Sequence, residues 1–502
     1  MSIKEQMTAF ILEYFGFEAT SEQQKAAKMI SSFIFERDEK SLFLLKGYAG
    51  TGKTSLVGAV VQALDALKQR TVLMAPTGRA AKVFSRHASH PAFTIHKRIY
   101  RQKSFSGEMV DFMQNVNLMK DALFIVDEAS MIANDSFGNS AFGTGRLLDD
   151  LIQFVYSGHG CRLMLVGDTA QLPPVGEEMS PALEREMLEG YGLKVEEMTL
   201  TQVVRQLDDS GILWNATMLR RLMAEDELWA FPQLRLKGFA DVVFMPGNEL
   251  IEAIEQAYYQ VGQDETIVVT RSNVRANAFN QGIRSRILGL EEELTSGDQV
   301  MVVKNNYHWV QPNKADAKSD DKTQAEGDTA ETTAAMDFIA NGDVAVVRRF
   351  RNERRVHDFR FADVTLQFPD YDDTEVEATM LLDTLSSEAP ALTREEQEKL
   401  FQHVWDDYPE LTTKRDRMKA VKEDPFFNAL QVKYAYAVTC HKAQGGQWQR
   451  VFLDQGFMTE EMLGPDYFRW LYTAITRATE TVYLVNWPKG ELDDESRRLV
   501  GD

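Results

Sequence analysis

The chain has 502 residues, with 55 Lys and Arg against 76 Asp and Glu, a formal charge of −21, 44% apolar and 26% charged residues. That is the balance of an ordinary soluble globular chain, and at roughly 100–200 residues per domain the length suggests about three domains. Two distant cysteines, Cys161 and Cys440, exclude a disulfide scaffold and a zinc ribbon, no apolar run approaches a membrane span, and the start MSIKEQMTAF has no signal-peptide layout. The expectation is a cytoplasmic protein in a reducing compartment, not associated with membranes. The acidic total leaves nucleic acid open as a partner only through a local basic or neutral channel.

In chain order, four short apolar runs come first: Leu42–Leu45, Val72–Ala75, Leu123–Val126 and Leu163–Val166. Each has the length and texture of a strand covered on both faces. Helical stretches such as Thr54–Gln69 separate several of them, and alternating β and α units predict a doubly wound parallel sheet. The same texture returns in Thr266–Val269, Tyr434–Val438, Val451–Leu453 and Val482–Val485, which predicts a second α/β layer. Between the layers, Val300–Val303 and Val344–Val347 are each preceded by a Gly-Asp pair, Gly297-Asp298 and Gly342-Asp343. With the alternation in Val356–Phe368 and Glu375–Leu382, they predict a small β-barrel or sheet inserted into the second layer. Gln311–Ala335 has no Val, Ile, Leu or aromatic residue and reads as a mobile loop, and Leu392–Lys422 reads as charged helix. No repeat of solenoid period is present.

Gly47-Tyr48-Ala49-Gly50-Thr51-Gly52-Lys53-Thr54 matches G-x-x-x-x-G-K-[ST] between an apolar strand and a helix, the context a phosphate loop needs. Its glycines let backbone N–H groups turn towards phosphate oxygens, and the helix N-terminus adds partial positive charge. Lys53 is suited to neutralise β/γ-phosphate charge and Thr54 to hold Mg²⁺. The run Leu123–Val126 ends in Asp127 and Glu128, which places two acids at the carboxyl edge of the sheet. Asp127 then holds Mg²⁺ through water and Glu128 polarises the attacking water. A metal, a lysine and a placed water are what phosphoryl transfer from ATP requires.

Further strings narrow the class of ATPase. They are Thr20-Ser21-Glu22-Gln23-Gln24-Lys25, Ala75-Pro76-Thr77-Gly78-Arg79-Ala80-Ala81-Lys82, Thr94-Ile95-His96-Lys97 and Gly167-Asp168-Thr169-Ala170-Gln171-Leu172-Pro173-Pro174-Val175. Beyond them come Leu200-Thr201-Gln202-Val203-Val204-Arg205-Gln206, Thr270-Arg271-Ser272-Asn273, Val438-Thr439-Cys440-His441-Lys442-Ala443-Gln444-Gly445-Gly446-Gln447 and Tyr472-Thr473-Ala474-Ile475-Thr476-Arg477-Ala478. Apart from the Thr270 string, they resemble in this order motifs Q, Ia, Ib, III, IV, V and VI of the superfamily 1 helicases, in the RecD-like and Dda-like branch (superfamily 1B), while the Thr270 string, followed by Asn277 and Asn280, is a looser match to the segment after motif IV.

The resemblance implies two RecA-like parallel-sheet domains with an inserted SH3-like β-barrel and a small pin. Residues 1–205 are the first motor domain, with the pin at about 99–118. Residues 206–290 and 430–502 form the second, and 291–429 the inserted domain, which contains the loop at about 311–335. It further implies that Gln24 reads adenine, that Gln171 senses the γ-phosphate, and that Arg205 and Arg477 reach the phosphates from the second layer. Gln444 and Gly445 then face the nucleotide, while Pro76, Thr77, Gly78, His96, Thr439 and His441 face a single strand. Relatives commonly carry Glu where this chain has Gln447, so a carboxylate contact to ribose is not expected. Phe105 is expected to press on the first base pair as a wedge, so Phe105→Ala should uncouple unwinding from hydrolysis. The implied activity is Mg-ATP-driven movement, 5′ to 3′, on single-stranded DNA and at single-strand/duplex junctions, by a near-minimal monomeric motor. An RNA helicase of the same superfamily, or a nucleotide switch that moves nothing, are the alternatives. DNA repair, recombination and replication restart all remain open as settings.

Overall fold

The computed structural model describes residues 2–36, 38, 40–102, 112–134, 143–203, 209–310, 336 and 338–500. These fall into two compact units, one comprising the chain up to residue 101, residues 112–276 and the chain from residue 438, the other principally residues 277–437.

The first unit is built on two sheets. Its early strands are β1 (Ser41–Gly47), β2 (Thr71–Ala75), β3 (Ala92–Thr94), β4 (Tyr100–Gln102), β5 (Phe112–Gln114), β6 (Leu123–Val126), β7 (Arg162–Gly167) and β8 (Lys194–Leu200). Six of these form a sheet in the order β3-β2-β6-β7-β1-β8, parallel at each pairing, while β4 and β5 pair as a separate two-stranded sheet. Leu42, Phe43, Leu44 and Leu45 of β1 are all fully buried, which requires cover on both faces of the sheet. Helices Ser21–Ile34 and Lys53–Ala66 supply cover on one of them, through Ile30, Phe33, Val57, Val60 and Leu64.

The second sheet takes β9 (Val242–Met245) and β10 (Thr266–Thr270). The chain then enters the second unit as β11 (Gln299–Val302), β12 (Val344–Val356), β13 (Phe359–Phe368), β14 (Thr374–Leu381) and β15 (Leu430–Tyr434). It returns as β16 (Ala437–Thr439), β17 (Trp448–Asp454) and β18 (Ala478–Val485). The sheet order is β16-β10-β17-β18-β9, with β10, β17, β18 and β9 parallel, and β11 to β15 close into a barrel. Both expected parallel sheets and the inserted barrel are therefore present.

The Gly-Asp pairs ahead of β11 and β12 have a common physical basis. Gly297 and Gly342 take φ of +95° and +96°, a conformation that favours glycine at the third position of a tight turn. The following acid then accepts from the backbone three residues back: Thr295 N–H to Asp298 Oδ2 at 2.8 Å, and Ala340 N–H to Asp343 Oδ2 at 2.7 Å. Buried Asp298 also takes both arms of the Arg284 guanidinium, at 2.7 and 2.8 Å.

Three expectations change. Tyr434–Val438 is not one strand, because β15 ends at Tyr434 and β16 starts at Ala437. The buried amide of Asn280 holds the break, donating to Ala437 O at 2.9 Å and accepting from Ala437 N–H at 2.7 Å. Val356–Phe368 contains a hairpin turn at His357 and Asp358, whose φ values of +54° and +66° suit a tight two-residue connection. Leu392–Lys422 is two helices, Arg394–Asp406 and Lys414–Glu423, each opened by a capping threonine, and Leu400, Val404 and Val421 cluster with Phe359 and Phe361 of the barrel. The expected loop 311–335 lies outside the described residues.

Candidate active site

In the first sheet β6, β7 and β1 are neighbours, so the loops leaving their carboxyl ends share one edge. These loops carry Tyr48–Thr54, Asp127-Glu128 and Asp168–Gln171. Together with Arg477, Gln447 and Thr476 from the second sheet's elements, they line a cavity of about 590 Å³. Gly50 and Gly52 both take φ of +76°. A side chain at Gly50 would be strained and would press on Leu213 at 2.8 Å.

Lys53 opens the helix Lys53–Ala66 and turns back over its own loop, donating to Gly47 O at 2.6 Å and Tyr48 O at 2.9 Å. The Thr54 hydroxyl faces Asp127 Oδ2 at 3.4 Å. These two hard oxygen donors are of the kind Mg²⁺ accepts beside phosphate oxygens and water, so the residues fit the ion. Burial and the adjacent Glu128 charge push the Asp127 carboxyl up from 3.8 to about 7. A folded-state value above the ordinary one means that the charged form is disfavoured in the fold. The cost is absent below pH about 4 and complete above pH about 7. Asp127→Asn is therefore expected to raise the melting temperature at pH 8 in the absence of Mg²⁺ and nucleotide, with a smaller effect at pH 5.5. Scanning fluorimetry at the two pH values checks this, and an equal shift at both would place the effect elsewhere.

The second sheet reaches the same edge through the helix Pro465–Ile475 and the loop after β16. Arg477 is 2% exposed, its Nε donating to Thr473 O at 3.0 Å and its guanidinium nitrogens to Gly446 O at 3.1 Å and Thr476 Oγ1 at 3.4 Å. Leu172, in the loop after β7, is clasped on both backbone groups. Its N–H donates to Thr473 Oγ1 at 2.9 Å and its carbonyl accepts from Gln444 Nε2 at 2.7 Å. The neighbouring Gln171 is buried and lines the cavity, and its Oε1 has no hydrogen-bond partner among the described residues. The Tyr472 hydroxyl accepts from Ala49 N–H at 2.9 Å and donates to Asp168 Oδ2 at 2.7 Å.

Several expected residues stand elsewhere. Gln24 is exposed and donates to Ala19 O, whereas Gln23 is 1% exposed and its Nε2 reaches Thr51 O at 2.9 Å in the phosphate loop. Gln23 also closes the capping box with Thr20, so its side chain is held at both ends. Gln23→Ala is accordingly expected to raise the KM for ATP roughly tenfold, since it leaves a buried carbonyl unpaired. Gln24→Ala should leave the KM as it is. Steady-state titrations of both variants separate the two glutamines, and the reverse ranking would restore Gln24.

Gln444 and Gly445 do not line the cavity. Gln444 is spent on Leu172, and a Cβ at Gly445 (φ +73°) would lie 3.1 Å from both Thr77 Oγ1 and Ala80 Cβ, so this loop packs against the helix Gly78–Ala88. Pro76 and Gly78 sit at the carboxyl end of β2 and the start of that helix, where Thr77 is the cap, accepting from Ala80 N–H at 3.2 Å. Arg79 crosses to the second sheet, lying 4.2 Å over the Trp448 ring and donating to Gln447 O at 3.2 Å. Burial lowers His96 to about 4, so it offers a neutral ring and not a cation for phosphate. Thr439 stands at the N-cap position of the helix Cys440–Ala443, its side chain making no capping hydrogen bond among the described residues, while His441 stands exposed in its first turn. Arg271 contacts Met458 and lies 5.8 Å over the Trp470 ring, away from the cavity. Arg205 and Phe105 lie outside the described residues. Gln23, Asp168, Tyr472 and Thr473 carry geometry that motif reading alone had left without a role.

A family model described as an AAA domain matches residues 18–239, and one described as the UvrD-like helicase C-terminal domain matches residues 434–485. An uncharacterized protein of Methanocaldococcus jannaschii is 22% identical over 95% of this chain and 40% of its own length. The ATP-dependent RecD2 DNA helicase of Deinococcus radiodurans is 31% identical over 53% of this chain and 34% of its own. The chain thus spans less than half the length of these curated relatives. A solved structure of Pif1 helicase from Bacteroides in complex with ADP-AlF3 and ssDNA aligns over 96% of each chain at 15% identity, with a TM-score of 0.43. One family model takes in the phosphate loop, the acid pair and Gln171, the other the Gln444 loop and Arg477, so both sides of the site are similar to those of helicases.

Proposed function

We propose that this chain hydrolyses Mg-ATP to move along single-stranded DNA and to open duplex at a junction, travelling 5′ to 3′. The observation that carries the reading is the shared cavity. Lys53, Thr54, Asp127, Glu128 and Gln171 come to it from one sheet and Arg477 from the other. A nucleotide held there touches both sheets, so its hydrolysis changes what holds them together. The clasp on Leu172 and the Arg79 contact with Trp448 give that change two routes towards the Pro76–Gly78 and Thr439–His441 edges, where a strand is expected to lie. Contacts there would go mainly to phosphates and stacked bases, with little sequence preference. In the ATP site, Lys53 neutralises phosphate charge, Thr54 and Asp127 hold Mg²⁺, and Glu128 polarises the attacking water. The RecD2 relative, named an ATP-dependent DNA helicase, supports the same reading. Both cysteines are free and buried, as suits a reducing cytoplasmic setting.

The test is ATP-dependent unwinding of one duplex bearing either a 5′ or a 3′ single-stranded tail, with Lys53→Ala and Glu128→Gln beside wild type. Opening of the 5′-tailed substrate alone, lost in both variants, is the expected result. Opening from the 3′ tail would keep the motor and reverse its direction. Hydrolysis indifferent to DNA, with no unwinding, would sink the proposal.

A further inference from the structure

One phenol connects three parts of the active site. Tyr472 is 1% exposed on the helix Pro465–Ile475, close in sequence to Thr473 and Arg477. Its hydroxyl accepts from Ala49 N–H in the phosphate loop and donates to Asp168 Oδ2. Asp168, also 1% exposed, holds the Gln171 turn by accepting from Ala170 N–H through Oδ1 at 2.9 Å, and Lys53 Nζ lies 4.0 Å from its Oδ2. Burial beside that carboxylate keeps the phenol protonated, its value raised well above 10. The direction of the two bonds is therefore set: the proton points to Asp168 and a lone pair to Ala49.

Packing alone does not call for this hydroxyl. Phenylalanine would fill the same space, so the oxygen contributes the two polar contacts and nothing else. Separating the helix from the phosphate loop would leave the half-buried Ala49 N–H and the buried Tyr472 hydroxyl without these partners and take one contact from the buried Asp168 carboxylate, and such groups are costly to leave unpaired. The same helix holds Leu172 N–H through Thr473 and leads into Arg477. We propose that Tyr472 is a positioning residue that couples nucleotide turnover to movement, its hydroxyl tying the phosphate loop and the Gln171 turn to the helix that leads to the arginine. This rests on the motor reading above, and the residue acts through Ala49 and Asp168, not on substrate.

The experiment uses the full chain with Tyr472→Phe, Asp168→Asn and the double variant. It measures kcat and KM for ATP with saturating single-stranded DNA, and the ATP consumed per base pair opened on a tailed duplex. Tyr472→Phe is expected to lower kcat roughly tenfold, the scale of one hydrogen bond to a charged group, with KM within about threefold. ATP consumed per base pair should rise. In the Asp168→Asn background the same substitution should cost less, because the bond it removes is already weakened. Should Tyr472→Phe lower the melting temperature, the comparison with Asp168→Asn still decides, since that change attacks the bond from the other side. Wild-type kcat and coupling in Tyr472→Phe, or an effect undiminished in the Asp168→Asn background, would overturn the coupling role alone. A wild type whose hydrolysis ignores DNA would overturn the motor reading and this role with it.

Discussion

Replacing Glu128 with Gln is expected to reduce DNA-stimulated ATP turnover by about 10²–10⁴-fold, the usual span for loss of a general base. Nucleotide affinity should stay within about threefold of wild type, because the change removes a proton acceptor and not a phosphate contact. The backbone gives the reason for singling out this acid. In an extended strand, successive side chains point to opposite faces, so Asp127 and Glu128 at the end of β6 should diverge. Instead Glu128 turns into the left-handed region at φ +53°, its N–H donating to Asp127 Oδ1 at 2.9 Å, and both acids line the cavity. A non-glycine residue held there costs roughly 1–3 kcal/mol, a strain of the kind that collects at functional sites. The distortion places one carboxylate beside Thr54 and leaves the other in the same cavity. Single-turnover hydrolysis with equilibrium nucleotide binding checks the claim. Unchanged turnover in Glu128→Gln would assign the proton to another group, and weakened binding alone would make Glu128 a contact residue.

The parts of this architecture that follow from local chemistry were legible in the sequence. The apolar run Leu42–Leu45 reads as a strand covered on both faces, and the glycine-rich run between it and a helix reads as a phosphate loop. Strands β8 and β9 escaped notice because both are edge strands and only partly covered, and in β8 Glu196 and Glu197 interrupt the apolar run. The break between β15 and β16 is hidden inside an unbroken apolar run, and Asn280, far back in the chain, bonds across it. The glutamine pair is a different case, since the information was present. Gln23 shares the spacing of Ala26, Ala27 and Ile30, the buried face of its helix, while Gln24 sits with exposed Lys28. Helical phase therefore points to Gln23 as the glutamine on the buried face, the one that reaches the phosphate loop. The Tyr472 and Leu172 contacts could not have been read, because they join residues about three hundred positions or more apart. No spacing rule reaches across the insertion of a barrel.

Arg477→Ala is expected to cost about 10³–10⁵ in turnover, the range for a guanidinium that stabilises transferring phosphate charge. Its surroundings also make a sharper forecast for the conservative change. The guanidinium has five N–H donors, and three are engaged by Thr473 O, Gly446 O and Thr476 Oγ1. The described contacts thus hold the planar group in one orientation and leave two donors for a phosphate. A lysine would restore the charge but has a single rotatable ammonium, which cannot bind those backbone carbonyls and a phosphate with the same fixed geometry. Arg477→Lys should therefore recover nucleotide affinity more fully than turnover. If only charge mattered, lysine would rescue both in proportion. Rapid-quench hydrolysis and nucleotide binding measured on wild type, Arg477→Lys and Arg477→Ala distinguish these cases. Alanine with near-normal turnover would take the residue out of the chemistry and leave it as a brace between Thr473 and Gly446. A lysine variant that binds well and turns over slowly would show that orientation, supplied by two backbone carbonyls of the second sheet's elements, is what the arginine contributes.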